Sequence, residues 1–110
     1  MIKLRFITTM PEPNQFETLR TSYPGEAMQL FQLVTFWATN YGVRMLPIEI
    51  SEDGRTKTDT FLIPDDSTRD AVLTHAQDNG VTPLEIFDTM KAHVEAMGGT
   101  LERVEEDLPD

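Results

Sequence analysis

Ile2, Leu4 and Phe6 alternate with Lys3 and Arg5, the period of two that belongs to a strand with one buried face. Pro11, Pro13 and Asn14 follow as turn chemistry, and residues 16–21 read as a second, weaker strand returning from that turn. The period then changes. Ala27, Leu30, Phe31, Val34, Trp37, Ala38 and Tyr41 recur at three and four, which predicts a long helix starting near Pro24 or Glu26 and closed by Gly42 as a left-handed cap. Leu46, Ile48 and Ile50 mark a third strand over residues 44–51, where Pro47 predicts an edge position or a bulge. Asp53 and Gly54 suit a tight hairpin turn, and the returning strand over 56–63 is stopped by Pro64.

Two short helices come next. Ser67 with Asp70 reads as a capping box, and Asn79 with Gly80 as the end of that helix. Thr82, Pro83 and Glu85 open the second, whose buried stripe is Leu84, Phe87, Met90, Val94 and Met97 and whose stop is Gly98 with Gly99. The order strand, strand, helix, strand, strand, helix, helix predicts one α+β domain over residues 1–99. It is a small mixed or antiparallel sheet packed on one long helix, with two short C-terminal helices added, and it resembles a β-grasp arrangement. Residues 100–110 are expected to form an acidic tail or a short last strand through Leu101 and Val104.

Composition narrows the class. A chain of 110 residues with 39% apolar and 8% aromatic residues can build a core of its own. With no cysteine it has no disulfide, thiolate metal site or cysteine nucleophile, which suits a reducing, cytoplasmic setting. Basic residues interleave the first apolar positions and Pro11 follows, so no secretory signal is expected. The uncharged run over 27–43 is broken by Gln29, Gln32 and Asn40, so no membrane span is expected either.

Charge is distributed unevenly. Residues 1–50 carry four bases and four acids, whereas residues 51–110 carry five bases and fifteen acids, the whole net charge of −10. Such a field repels anions and draws basic surfaces. Direct nucleic-acid binding is therefore disfavoured, because positive charge supplies most of that affinity. Asp70, Asp78, Asp88, Glu95 and Glu102 are the candidate acidic contacts, although a solvated face and dipole-complementing acids at helix starts account for much of the same pattern. Met28, Gln32 and Phe36 lie on the side of the long helix away from the stripe, where a solvent-facing helix would ordinarily carry Lys or Glu. Burial on both sides explains that gap; so does an interface anchored by Phe36, for a partner or a second copy of the chain.

Catalysis finds little support. Ser22, Ser51 and Ser67 each have a turn or cap explanation, and neither a nucleophile elbow, a P-loop nor a dinucleotide fingerprint is present. His75 and His93 lie on different helices without metal-ligand spacing, each within reach of a carboxylate (Asp70 or Asp78, and Glu95), so neither a metal nor a cofactor is expected. The reading is a protein-binding module, an inhibitor or adaptor that sets an acidic surface against a basic partner such as a nucleic-acid-handling enzyme. Phage or mobile-element inhibitors, some of them nucleic-acid mimics, and toxin-neutralising immunity proteins offer the analogy. A self-associating assembly protein and a small enzyme or sensor are the alternatives.

Overall fold

The computed structural model describes residues 1–75 and 80–109. Its elements run β1 (Ile2–Thr9), α1 (Gln15–Ser22), α2 (Pro24–Tyr41), β2 (Arg44–Met45), β3 (Glu49–Ile50), β4 (Thr56–Ile63), α3 (Arg69–Thr74), α4 (Pro83–Ala96) and β5 (Thr100–Asp107). The strands make one antiparallel sheet ordered β2-β4-β1-β5, with β3 also paired to β4. The α+β class is as expected; the order of elements is not. Among the described residues the N-terminal half holds one long strand and two helices, and the chain closes with a strand, so the β-grasp-like sequence of elements does not hold.

β1 is the axis of the sheet. Ile2, Leu4, Phe6 and Thr8 are buried while the residues between them are half-exposed. Ile2 to Thr9 pair throughout with β4 on one side and with β5 on the other. The helices cover the face of β1 that carries Leu4 and Phe6. Leu33 and Trp37 from α2, Val72 and Leu73 from α3 and Ile86 from α4 complete that core. The Trp37 indole N–H donates to the Val72 carbonyl at 2.9 Å, and its ring meets Phe61 edge-on at 5.3 Å. A smaller cluster of Met10, Leu19, Met90 and Val94 ties α1 to α4. The result is two layers, 38 × 34 × 18 Å overall.

Four local expectations are corrected. Residues 16–21 form α1, not a strand, because Phe16 and Leu19 are three apart and share a helical face toward the smaller cluster. In α2 the buried face turns toward Leu33, which is fully buried, while Phe31 and Ala38 from the expected stripe are exposed. Ser67 does not cap α3: Asp65 accepts from the Ser67 N–H, a 3₁₀ turn spans Asp66–Thr68, and α3 ends at Thr74. Of the two expectations for the C-terminal residues, the strand holds and the tail does not: residues 100–107 form an eight-residue strand, longer than the short one expected, held by the Gly98 reversal and the pairing with β1. Asn79, expected to end that helix with Gly80, lies outside the described residues.

Other signals translate directly. Thr82 and Glu85 make the reciprocal capping box of α4, and Gly42 closes α2 at φ 65°. Pro47 splits the third strand into β2 and β3 on the sheet edge, as its missing N–H requires. Asp53 accepts from the Ser51 hydroxyl and the Arg55 N–H in the hairpin turn, which holds its carboxyl below the ordinary aspartate value. The opposite edge is β5, blunted by Glu102, Arg103, Glu105, Glu106 and Asp107.

The tightest backbone approach is at Gly99, where α4 hands over to β5. A Cβ there would run into the Thr9 carbonyl oxygen and come within 2.8 Å of the Met10 sulfur. Gly99→Ala is therefore expected to cost about 1–3 kcal/mol by overpacking, whereas Gly25→Ala, with open space around it, is expected to be neutral or slightly stabilising. Urea denaturation of the two variants checks both.

Candidate interaction surface and adjoining cavity

α2 is uncharged from residue 27 onward, and its outward row is Met28, Phe31, Gln32, Thr35 and Thr39 at helical spacing. Phe31 is 70% exposed and Met28 57%, the largest such pair on one helix. Thr35 donates back to the Phe31 carbonyl and Asn40 to the Phe36 carbonyl, so part of the row's polar capacity is satisfied within the helix. Pro24, Ala27, Met28 and Phe31, with Arg20 and Thr21 of α1 on the far side, line an open groove of about 720 Å³.

The expected site residues divide. Met28 and Gln32 lie on this outward row. Phe36, expected as its anchor, is half-buried: it packs on the main core and meets the rings of Tyr41 and His75 edge-on. Phe31 occupies the exposed position instead. Asp70 on α3 and Asp88 and Glu95 on α4 are exposed on the helical layer, and Asp78 lies outside the described residues. Glu102 is exposed on β5, but strand alternation sets it with Ile7 on the face of the sheet away from the helices. The acids are thus spread over both faces of the molecule and do not converge.

Several carboxylates from the acidic half are engaged inside the fold. Glu106 takes Arg5 at 2.6 Å, Asp66 takes the N-terminal ammonium at 2.9 Å, and Glu105 lies between Arg69 and Arg103 at 3.8 and 3.9 Å. Glu95 reaches Lys91 at 3.9 Å. Among the described residues Asp70, Asp88 and Glu102 have no ion-pair partner. His93 also differs from expectation, whereas one expected partner of His75, Asp78, lies outside the described residues. His93 stacks on Tyr23 at 3.6 Å between ring centres and faces Glu26, not Glu95, at 3.5 Å. The His75 Nδ1 meets the Tyr41 hydroxyl.

Behind the groove, where α1 leans over the sheet, lies a cavity of about 310 Å³ at the seam of the two core clusters. Phe6 and Phe87, stacked at 3.8 Å, form one wall; Phe16, Leu19 and Tyr23 form another. Its sheet side contributes three polar groups, Thr8 on β1 and Lys57 and Asp59 on β4, all on the helix-covered face, and its helix side Glu17, Arg20 and Tyr23. Lys57 lies 3.6 Å from Asp59 and 5.9 Å from the centre of the Phe16 ring. The Asp59 side chain is 18% exposed. Burial pushes its carboxyl above the ordinary aspartate value, and the Lys57 ammonium only partly offsets that. No protein-family model matches this chain, and comparison with curated proteins finds no match. Among the described residues no helix is long and apolar enough to cross a membrane.

The sequence did carry a signal for the two inward charges. Lys57 and Asp59 stand in phase with Phe61 and Ile63, so any register that buries the two apolar residues turns the two charges inward as well.

Charge pairs drawn partly out of water, as here with Lys57 at 32% and Asp59 at 18% exposure, stabilise folds weakly, and apolar replacements are often neutral or better. Lys57→Met/Asp59→Leu is accordingly expected to be at least as stable as the native chain at pH 7. Because the folded Asp59 pKa is raised, the folded state holds its proton more tightly than the unfolded chain. Its contribution to stability therefore falls as pH rises from the ordinary carboxylate range through the folded value. The titratable groups sharing the cavity are Lys57, Glu17, Arg20 and Tyr23. The advantage of the double variant should accordingly grow from pH 4 to pH 7 in urea melts; a constant or shrinking difference would contradict this account.

Proposed function

We propose that this protein is a protein-binding module, an inhibitor or adaptor that sets the outward face of α2 against a partner with a basic surface. The observation that carries the reading is Phe31. A phenylalanine left 70% exposed, beside Met28 and a row of uncharged residues, is held out of a core that has room for Leu33 in its place. Aromatic residues and Met are enriched in the buried centre of interfaces and charge is depleted there. Covering the Phe31 ring would recover up to roughly 1.5–3 kcal/mol of apolar burial, enough for one anchor residue.

The partner's chemistry follows from the charge. The net −10 is unneutralised on the surface, and Asp70, Asp88 and Glu95 rise from the same helical layer as α2. A basic surface would be steered toward this layer and held there by the apolar row, so charge acts on the association rate and Phe31 on the lifetime. The spread of the acids over both faces favours a diffuse attractive field over a row of phosphate mimics.

Capture from lysate of the source cell at low and high salt, with native protein, Phe31→Ser and Asp88→Lys/Glu95→Lys, tests this. The expected result is one basic partner, released as the salt approaches the concentration at which the screening length is about 8–10 Å, and lost with both variants. Capture indifferent to Phe31→Ser overturns the docking face. A native chain that instead sediments as a dimer, dissociated by Phe31→Ser, assigns the face to self-association.

A further inference from the structure

The cavity beneath α1 has features that a packing role leaves unexplained. β4 is an interior strand, paired on both sides, so its inward charges guard no edge. Leu or Met at 57 and 59 would fill the space between the two core clusters. Instead a lysine and an aspartate stand there beside a void of about 310 Å³, at the small end of the range of about 300–1,000 Å³ for ligand pockets. Thr8 adds a second observation. It is 4% exposed, lines the cavity, and its hydroxyl makes no hydrogen bond among the described residues. That hydroxyl is not among the fully enclosed polar atoms, so it stays open to whatever occupies the cavity.

We propose that this cavity binds a small aromatic primary amine, its ammonium on the Asp59 carboxylate and the Thr8 hydroxyl and its ring against Phe6, Phe16 and Phe87. The sign of the ligand charge follows from the cavity. Glu17 at the mouth is already paired with Arg20, so Arg20 does not offer itself to an anion. Lys57 is shared between Asp59 and the Phe16 ring face, and among the described residues no other donor reaches the Asp59 carboxylate. An ammonium has three donors, enough for Asp59 and for Thr8, which is diagonal to it across the β1–β4 pair. The aromatic walls favour a cation through their electron-rich faces. A chain of net charge −10 also concentrates cations at its surface and excludes anions from it. An anion would have to displace Asp59 from Lys57 against that field. The volume restricts the ligand to a single-ring molecule or one of similar bulk.

This site rests on residues separate from Phe31 and Met28, so it stands or falls independently of the partner reading. The test is titration of the native protein at pH 7 with phenethylamine, 3-phenylpropionate and 2-phenylethanol. Amide chemical shifts at Phe6, Thr8, Lys57 and Asp59 are followed by NMR, and Trp37 fluorescence serves as a second reporter through its contact with Phe87 at 6.0 Å. Phenethylamine is expected to saturate with a dissociation constant on the order of 1 mM, with the alcohol weaker and the carboxylate weakest. Asp59→Asn should weaken the amine by at least about tenfold, the loss of one charge-assisted hydrogen bond, and leave the alcohol unchanged. Lys57→Met/Asp59→Leu should abolish amine binding while the protein remains folded, and Phe31→Ser should leave it intact. Equal binding of amine and carboxylate, amine binding unaffected by Asp59→Asn, or no saturable shift at these amides up to about ten times that concentration each overturns the proposal.

Discussion

A single strand hydrogen-bonded along both edges is the condition on which the rest of this molecule depends. Neither neighbour of β1 is close to it in sequence: β4 lies more than forty residues away and β5 about a hundred. The alternation of Ile2, Leu4, Phe6 and Thr8 commits one face of that strand to burial, so the face cannot be satisfied until α2, α3 and α4 have been laid over it. Pairings of such long sequence separation must overcome loop-closure entropy before they return any stability, which makes this a slow-folding topology for its size. Gly99 has a structural meaning in this setting. It lets the chain leaving α4 approach the Thr9 carbonyl closely enough for β5 to enter register.

The same pairing explains where much of the charge goes. β1 contributes Lys3 and Arg5 on the face away from the helices, and β5 returns acids to that face, with Glu106 bonded to Arg5. Asp66 neutralises the N-terminal ammonium, and Glu105 lies between two arginines. These exposed or half-exposed pairs are each worth about 0–1 kcal/mol; they reduce self-repulsion more than they add attraction. What is left over, Asp70, Asp88 and Glu102 among it, belongs to the solvent-facing field. The uncharged row of α2 stands out against that field, and so does the inward pair on β4.

Two inconsistencies between local chemistry and global fold therefore remain once the core is accounted for. Phe31 is an aromatic ring on the outside of a helix whose Trp37 is fully buried and whose Phe36 and Tyr41 pack against the core. Lys57 and Asp59 are charges on the inside of a sheet. Departures from consistency tend to gather where a protein meets something else, and here they lie on either side of α1. Arg20 and Ala27 border both the groove and the cavity.

Most elements were legible because their causes are local. The Thr82 and Glu85 capping box, the Gly42 cap, the turn at Asp53 and Gly54 and the period of β1 each need only a few neighbouring residues. Residues 16–21 and 100–107 were ambiguous for the complementary reason. A short amphipathic segment shows a weak period, and what made one a helix and the other a strand was the surface each met: Met10 with Val94 for α1, the free edge of β1 for β5. The rotation of α2 was likewise undetermined, since Phe31 and Leu33 flank the Leu30, Val34 and Trp37 stripe on opposite sides and only packing on the sheet selects one of them. The sequence by itself thus determined the α+β class, the caps and turns, the charge surplus and the uncharged helix. Tertiary structure alone decided which ring stays outside, which acids are neutralised, and whether a cavity is left beside Lys57 and Asp59, whose inward phase the sequence already showed. Those outcomes depend on contacts between residues far apart in the chain, and no local pattern encodes them.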